Sequence, residues 1–354
     1  MSVRCLQFVI PGDLRAPTGG YVYDRRMLAG LRELGWQVRV HTLDASFPHP
    51  TAVALERARQ VFSSLPDQAL VLIDGLALGA MPDIVQPHAR RLRLVALIHH
   101  PLAAENGLAP YQALELVRSE RVALQAVRHV LVTSHATQRA LLAYGVDAGR
   151  VSVVQPGVDA APLAPRQRGA VLNLLCVATL TPRKGHDLLF EALASLPPRW
   201  HLICIGSLTR SATTVAALRR QLRQLNLDRQ VVLEGEVDDA TLAQRYAQAD
   251  LFVLPTRFEG YGMVIAEALA HGLPVISTRV GAIPQLVGSQ AGLLVDAGDV
   301  GMLRAALARV VSETGLLSSL ARGAEAVRGD LPRWPDSCAL MSRVLQNAAD
   351  QGGG

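Results

Sequence analysis

The residues best suited to chemistry begin with two adjacent cations, Arg183 and Lys184, which follow a strand-like apolar run and precede Gly185. Lys184 is the only lysine among 35 basic residues, so one position carries a compact, flexible charge where all others carry the planar arginine fork. A charged hydrogen bond in a partly dry cleft contributes about 1.5–3 kcal/mol, against about 0–1 kcal/mol for a surface salt bridge. The pair therefore predicts a diphosphate site, where the two cations stabilise the charge of a leaving group.

Two glutamates flank a glycine-rich loop further along the chain. Glu259 follows the buried run Leu251–Leu254, and Glu267 lies about one turn into the next predicted helix. Free amides at a helix start attract an anion, and glycines let it approach closely. The loop and helix start comprise Gly260, Tyr261, Gly262 and Met263.

Two other kinds of site are disfavoured by spacing. Gly260 and Gly262 could begin the dinucleotide fingerprint G-x-G-x-x-G, but Ile265 occupies the third glycine position, and the pair Gly19–Gly20 fails the pattern as well. Hydride transfer with a nicotinamide cofactor is therefore not expected.

A metal site is not expected either. No two aspartates have the spacing Asp-x-Asp, and the ten histidines show no metal-ligand spacing. The cysteines stand far apart, which favours buried reduced thiols over a zinc site or disulfide framework. We expect metal-independent chemistry with no cofactor. The four cysteines are Cys5, Cys176, Cys204 and Cys338.

Strand-like runs alternate with helical patterns along the whole chain, and 354 residues suggest two domains. Such alternation is typical of parallel sheets covered by helices, and the stretch Pro162–Gly169 separates two such series. We predict an α/β protein of two doubly wound domains, residues 1–165 and 166–334, with ligands in a cleft at the carboxyl ends of the strands.

In the first half, Gly19 and Gly20 precede a helix and permit close approach of a ligand. His99 and His100 end a buried strand, so one of them is expected to face the predicted cleft. The imidazole ring offers both a donor and an acceptor nitrogen. Asp74 ends another strand and is a candidate for contact with a second substrate.

Charge and hydropathy exclude several classes of protein. The net charge of +5 is too small for a nucleic-acid-binding protein. No apolar run is long enough to span a membrane, and the first apolar run is interpreted as a strand instead of a signal peptide, so a cytoplasmic location is expected. Arginines of the first half leave open a weak peripheral membrane contact, although Glu115 and Glu120 interrupt the helical pattern at 111–127.

Glu259 and Glu267 are separated by seven residues, and this E-x7-E spacing resembles glycosyltransferase family 4. The resemblance covers most of the chain and is densest from Leu172 to Asp299. It implies the GT-B fold, in which two tandem Rossmann-like domains face a cleft. It also implies that the last helix, 335–350, packs back on the first domain.

The resemblance assigns roles to residues of the second half. Arg183 and Lys184 would bind the diphosphate of a nucleotide-sugar donor, Glu259 would lie by the donor sugar, and Glu267 would hold the ribose hydroxyls. The amides from Gly260 to Met263 would lie near sugar and phosphate. Backbone near Ser207 and Val237 would contact the base, which leaves uridine and guanosine undistinguished.

In the first half, the glycine pair Gly19–Gly20 would touch donor phosphate or sugar. A histidine would contact the donor sugar, and the register favours His100 while His99 stays an alternative. The implied activity is retaining transfer of a hexose-type sugar from a UDP- or GDP-linked donor to a hydroxyl acceptor of unknown type. Two alternatives remain: a GT-B sugar-nucleotide epimerase or hydrolase, and a non-catalytic nucleotide-binding regulator.

Overall fold

The computed structural model describes residues 4–104, 108–164 and 171–350. The chain forms two compact units, the first ending at Gly157 and resuming at Pro332, the second running from Val158 to Leu331. The domain boundary predicted between 165 and 166 lies outside the described residues, as does most of the predicted linker.

The first unit is a six-stranded parallel sheet with helices between its strands, and its strand order is β2-β1-β3-β4-β5-β6. The strands β3 and β4 are almost entirely buried, as expected for a parallel sheet covered on both faces. The elements are β1 (Arg4–Pro11), α1 (Gly19–Glu33), β2 (Trp36–Leu43), α2 (Ala52–Ser64), β3 (Leu70–Asp74), α3 (Gly75–Leu78), α4 (Pro82–Val85), β4 (Arg93–Ile98), α5 (Pro110–Ala126), β5 (His129–Val132), α6 (His135–Leu142) and β6 (Val151–Val153).

The second unit repeats this architecture with the strand order β12-β11-β10-β7-β8-β9, again with parallel pairs. Its core includes all four residues of β10 and the ends of β7 and β8. The elements are β7 (Leu172–Val177), α7 (His186–Leu193), β8 (Trp200–Ile205), α8 (Ala212–Gln224), β9 (Val231–Gly235), α9 (Asp239–Gln248), β10 (Leu251–Leu254), α10 (Met263–Ala270), β11 (Val275–Thr278), α11 (Ile283–Val287), β12 (Gly292–Val295), α12 (Val300–Ser312) and α13 (Leu316–Arg328).

The last helix, α14 (Trp334–Asp350), belongs to the first unit and packs on α1. Trp36 Nε1 donates a hydrogen bond to Ser342 Oγ at 2.9 Å. Cys338, 3% exposed, lies over Gly30 near the C-terminal end of α1, and a Cβ at Gly30 would overlap its Sγ. Gly30 is therefore required for close approach of the two helices.

One acidic residue of α5, Glu120, does not lie on the exposed face of the helix, where the sequence pattern had placed it. Glu120 is fully buried, with Oε2 accepting from the amide of Leu102 at 3.1 Å, so it does not interrupt the exposed face of the helix. That face carries Tyr111 and Leu114, 65% and 51% exposed. Among the described residues, no helix combines the length and apolarity that a bilayer crossing requires.

Gly30→Ala should destabilise the first unit by about 1–3 kcal/mol, because the added methyl overlaps Cys338. The measurement is urea unfolding in a Trp200→Phe background, where Trp36 and Trp334 of the first unit supply the fluorescence. Adding Cys338→Ala should recover part of the loss in a double-mutant cycle. Equal stability of Gly30→Ala and its parent would show that the helices do not pack at this distance.

Stability of the first unit should fall as pH rises through the neutral range, because burial raises the pKa of Glu120 to about 8. The unfolded chain loses this proton near pH 4.5 and the folded chain keeps it until about pH 8, so between these values the folded state binds more protons. The loss is on the order of a few kcal/mol. Glu120→Gln should flatten this slope in urea unfolding at pH 5, 6, 7 and 8; an unchanged slope would contradict a neutral buried carboxyl.

Candidate functional site

Each sheet has one place where the strand order reverses, and several of the predicted site residues follow the strands at these places. In the second unit the reversal falls between β7 and β10, which pair although they are far apart in sequence. The turn after β7 carries Arg183 and Lys184, and the loop after β10 carries Glu259. Open parallel sheets bind ligands in the crevice outside the carboxyl ends of strands at such a reversal. The topology therefore brings these three residues together.

The contact between them is direct. Lys184 Nζ lies 2.6 Å from Glu259 Oε2, and the two side chains are only 13% and 14% exposed. Arg183 Nη1 donates to the carbonyl oxygen of Phe258 at 3.1 Å. A half-buried lysine and arginine thus stand side by side, and one of them is neutralised by a carboxylate of the neighbouring loop.

Backbone hydrogen bonds fix the turn that carries the cations. The carbonyl oxygen of Arg183 accepts from the amide of Arg257 at 2.7 Å and from the hydroxyl of buried Thr256 at 3.1 Å. Arg257 in turn pairs with Asp187 of α7 at 2.6 Å. Burial raises the pKa of Asp187, but the hydrogen bonds and charge of Arg257 outweigh it, and the net pKa is lowered. The turn and the loop are one hydrogen-bonded unit.

Gly185 ends this turn with φ of +73°, and a Cβ there would overlap the carbonyl oxygen of Pro255 in the loop after β10. Only glycine satisfies both the left-handed backbone and this close approach.

The predicted glycine-rich segment forms the loop and start of α10. Gly262, with φ of +98°, precedes Met263 at the helix start and provides no side-chain cap, so the first amides of α10 are not covered by a capping side chain. A Cβ at Gly281 would overlap the carbonyl oxygen of Glu259. The loop that carries Glu259 therefore packs closely against the turn after β11. Tyr261 is 4% exposed, and burial raises the pKa of its hydroxyl. Gly260 is half-buried.

Glu267 lies on α10, half-buried, where its Oε2 accepts from the hydroxyl of Tyr246 at 3.0 Å. Tyr246 is buried, and its pKa is raised first by that burial and then by the charge of Glu267. This hydroxyl holds the carboxylate on the helix that follows the loop of Glu259.

Ser207 and Val237 follow β8 and β9, on the other side of β7. Both are half-buried. The amide of Leu180, in the turn after β7, donates to the carbonyl oxygen of Ser207 at 3.3 Å. The segment that carries Ser207 is therefore joined to the segment that leads to Arg183.

In the first unit the strand order reverses between β1 and β3. Gly19 and Gly20 begin α1, after the loop that follows β1, with Thr18 as the N-cap. An ideal Cβ on Gly20 would lie 3.3 Å from Cδ2 of His99. The sequence register favoured His100 as the histidine of this site, with His99 as the alternative; the structure places His99 against Gly20, while His100 is the next residue and half-buried.

Two buried aspartates lie behind His99. Its Nε2 is 3.2 Å from Asp24 Oδ1 and 3.7 Å from Asp74 Oδ2. Burial and the charge of Asp24 raise the pKa of Asp74 to about 7. Burial lowers the pKa of His99, but the charge and hydrogen bonding of Asp24, with the charge of Asp74, outweigh it and the pKa is raised. Asp74, 1% exposed, faces His99 instead of solvent, contrary to the expectation that it contacts a second substrate.

Among the described residues, two groups could hold a metal ion, each with ligand atoms within 4.8 Å of one another. One is Asp24, Asp74 and His99, an oxygen-rich set. The other is fully buried and consists of Cys176, His186 and Cys204. Its cysteines are neighbours in the register of β7 and β8, and Cys176 Sγ lies 3.6 Å from His186 Nε2. The sequence separation of the cysteines concealed this proximity, because strand register is not visible in spacing.

Comparison with known proteins matches both halves of the chain to glycosyltransferases. Residues 18–161 match the profile described as Glycosyltransferase Family 4, and residues 172–313 match Glycosyl transferases group 1. The chain is 26% identical over 324 residues to the MMP alpha-(1->4)-mannosyltransferase of Mycolicibacterium hassiacum, covering 87% of this chain and 77% of that protein. It is 28% identical to the D-inositol 3-phosphate glycosyltransferase of Xylanimonas cellulosilytica, covering 72% of this chain and 66% of that protein.

Solved structures share the fold. The sucrose-phosphate synthase of Thermosynechococcus elongatus superposes with a TM-score of 0.84 at 20% identity, covering 99% of this chain and 100% of that one. Anabaena HepE in complex with UDP and glucose superposes with a TM-score of 0.77 at 20% identity, covering 96% and 99%. These likenesses confirm the predicted GT-B fold with its two Rossmann-like domains.

Gly185→Ala should destabilise the second unit by about 1–3 kcal/mol more than Gly315→Ala does. Both positions have positive φ, +73° and +86°, so the backbone strain is similar. A Cβ at Gly315 meets nothing within 4 Å, whereas one at Gly185 overlaps Pro255. Urea unfolding in a Trp36→Phe, Trp334→Phe background reports Trp200 of the second unit. Equal losses in the two variants would show that the turn and the loop after β10 are not in contact.

Proposed function

We propose, since this chain belongs to the family 4-like glycosyltransferases of the GT-B fold, that it is a retaining enzyme using a nucleotide-diphosphate sugar. It moves a hexose-type sugar from a UDP- or GDP-linked donor to a hydroxyl acceptor. The observation that carries the proposal is the half-buried group of Arg183, Lys184 and Glu259 at the strand-order reversal of the second unit.

The cations bind the donor's diphosphate. Lys184 is already oriented by Glu259, and Arg183 by the carbonyl oxygen of Phe258, so little side-chain entropy is lost on binding. As the bond between sugar and diphosphate breaks, negative charge grows on the leaving phosphate, and preorganised cations stabilise that charge. Two cations of the chain supply the charge that a divalent metal supplies elsewhere, so the reaction proceeds without metal.

The carboxylates and the glycine loop recognise the rest of the donor. Glu259, next to Lys184, accepts hydrogen bonds from sugar hydroxyls in this proposal. Glu267, held by Tyr246, accepts from the ribose hydroxyls. The amides at the start of α10, from Gly260 to Met263, face the sugar and phosphate. Backbone near Ser207 and Val237 contacts the base.

The first unit supplies the glycine pair Gly19–Gly20 and a histidine to the donor sugar. The contact between Gly20 and His99 makes His99 the better candidate, with His100 as its neighbour. The acceptor is a hydroxyl compound bound mainly by the first unit.

The relatives support a nucleotide-sugar donor. The structure of HepE holds UDP and glucose, and two of the similar proteins are named as a mannosyltransferase and a D-inositol 3-phosphate glycosyltransferase. Incubation with a panel of UDP- and GDP-sugars, followed for slow donor hydrolysis and for transfer to simple hydroxyl acceptors, identifies the donor. Proton NMR of the transferred sugar then gives its anomeric configuration. An inverted product would contradict retention of configuration. Isomerised donor without transfer would contradict a transferase and favour the epimerase alternative. Nucleotide binding without turnover would favour a regulator.

Lys184→Gln should reduce turnover of the active donor by about 10²–10³-fold, because one charged donor to the developing phosphate charge is lost. Glutamine keeps a hydrogen bond to Glu259, so the variant should fold, as checked by circular dichroism and thermal unfolding. Arg309→Ala is the matched control, since it removes a cation of the same unit from an exposed pair with Glu313. Full turnover in folded Lys184→Gln would remove Lys184 from the mechanism.

A further inference from the structure

The buried cluster around His99 joins three elements of the first unit. Asp24 lies on α1, Asp74 ends β3, and His99 follows β4. The two carboxylates are 0% and 1% exposed, and the His99 side chain is 19% exposed. His99 is thus the one member of the cluster that a ligand can reach, and the aspartates act only through it.

The two buried carboxylates of this cluster need a positive charge close to them, which His99 supplies when it is protonated. Neither carboxylate oxygen of Asp24 has a well-directed hydrogen bond among the described residues, and one of them lies 3.2 Å from His99 Nε2. Asp74 already accepts the amide of Leu76 through Oδ1 at 2.9 Å, which leaves Oδ2 toward His99. Two buried carboxylates without compensation are strongly unfavourable, and a protonated imidazole next to both of them compensates one of the two negative charges.

The ring of His99 is also fixed in orientation. Tyr23 packs edge-on against it, with ring centres 5.4 Å apart, and Gly20 covers another side. The hydroxyls of Thr133 and Thr137 both donate to the carbonyl oxygen of His99 at 3.2 Å. The cluster therefore sets both where the imidazole lies and which nitrogen points inward.

We propose that Asp24 and Asp74 are positioning residues that hold His99 as an imidazolium against the glycine pair, so that a positive charge faces the donor. This inference rests on the proposed function, which brings the donor to Gly19–Gly20. It assigns to the first unit a source of positive charge for the donor's sugar and diphosphate, in addition to Arg183 and Lys184 of the second unit. The aspartates contact no substrate themselves.

The titratable groups facing His99 determine its pH response. They are Asp24 and Tyr23 from α1, Asp74 from the end of β3, and His100 next in the chain; the contacts from β5 and α6 are threonine hydroxyls. Tyr23 is buried and stays neutral, because burial and the charge of Asp24 raise its pKa. Removing either aspartate charge should therefore lower the pKa of His99, and an imidazolium-dependent step should then fail at lower pH.

The direct test is an NMR titration of the protein with 13C-labelled histidine, in which His99→Gln identifies the His99 signal among the ten histidines. We expect the His99 pKa to lie above 6.5 and to fall by about 1–3 pH units in Asp24→Asn and in Asp74→Asn. Asparagine at 74 still caps α3 through its side-chain oxygen. Asp147→Asn is the matched control, since Asp147 accepts the amide of Gly149 in the same way but is exposed.

Each of the two aspartate variants tests the proposal by itself. If one of them fails to fold, the titration of the other still gives the answer. An unchanged His99 titration in a folded variant would overturn the proposal. So would broadening of the His99 signal by one equivalent of Mn²⁺, which would make the cluster a cation site. The titration needs no substrate, so loss of donor turnover in every assay would contradict the proposed function alone. With an active donor, the alkaline limb of the kcat profile should move to lower pH in both variants and stay in place in Asp147→Asn.

Discussion

The ion pair between Lys184 and Glu259 is the interaction on which the second unit's site depends. Each charge is mostly withdrawn from water, and such a charge is tolerated only with a partner close by. The pair joins the turn after β7 to the loop after β10, so it exists only if these two strands are neighbours. The strand-order reversal supplies that neighbourhood, and Gly185 and Gly281 allow the backbones to approach. Fold and chemistry are thus linked through one contact.

The first unit also has a cluster of charged side chains near its strand-order reversal, but the residue types differ. There β1, β3 and β4 are neighbouring strands, so α1, Asp74 at the end of β3 and His99 after β4 lie together. In the proposed arrangement the histidine carries the positive charge. Both units therefore place a cation at the carboxyl edge of a parallel sheet, next to a glycine whose backbone is close to it. In one unit the cation is balanced by an acid on a loop, and in the other by acids within the core.

Much of the fold could be predicted from sequence, because buried parallel strands are continuous apolar runs with little ambiguity. The run Leu251–Leu254, for example, is a strand with those bounds. Helices α6 (His135–Leu142) and α13 (Leu316–Arg328) were not predicted, since the first is short and the second includes serines and a glycine that weaken its apolar pattern. The sequence pattern also placed the two cations and Glu259 after strand ends, but it could not show that Lys184 and Glu259, 75 residues apart, are in contact.

Burial of polar groups was the least visible property in the sequence. Asp24 stands in a helix with charged neighbours and gave no sign of lying in the core, and Glu120 looked like a surface acid. Cys176 and Cys204 came together only through the register of β7 and β8. In each case tertiary packing, which local pattern does not encode, decides the environment of the side chain.

The most direct measurement compares the affinity of the protein for a nucleoside diphosphate with its affinity for the monophosphate. Calorimetric titration with UDP and UMP, and with GDP and GMP, gives both values. The account predicts that the preferred diphosphate binds the parent protein at least about tenfold more tightly than its monophosphate, and that Lys184→Gln removes most of this ratio. Equal affinity for monophosphate and diphosphate in the parent, or a ratio that Lys184→Gln leaves unchanged, would contradict it.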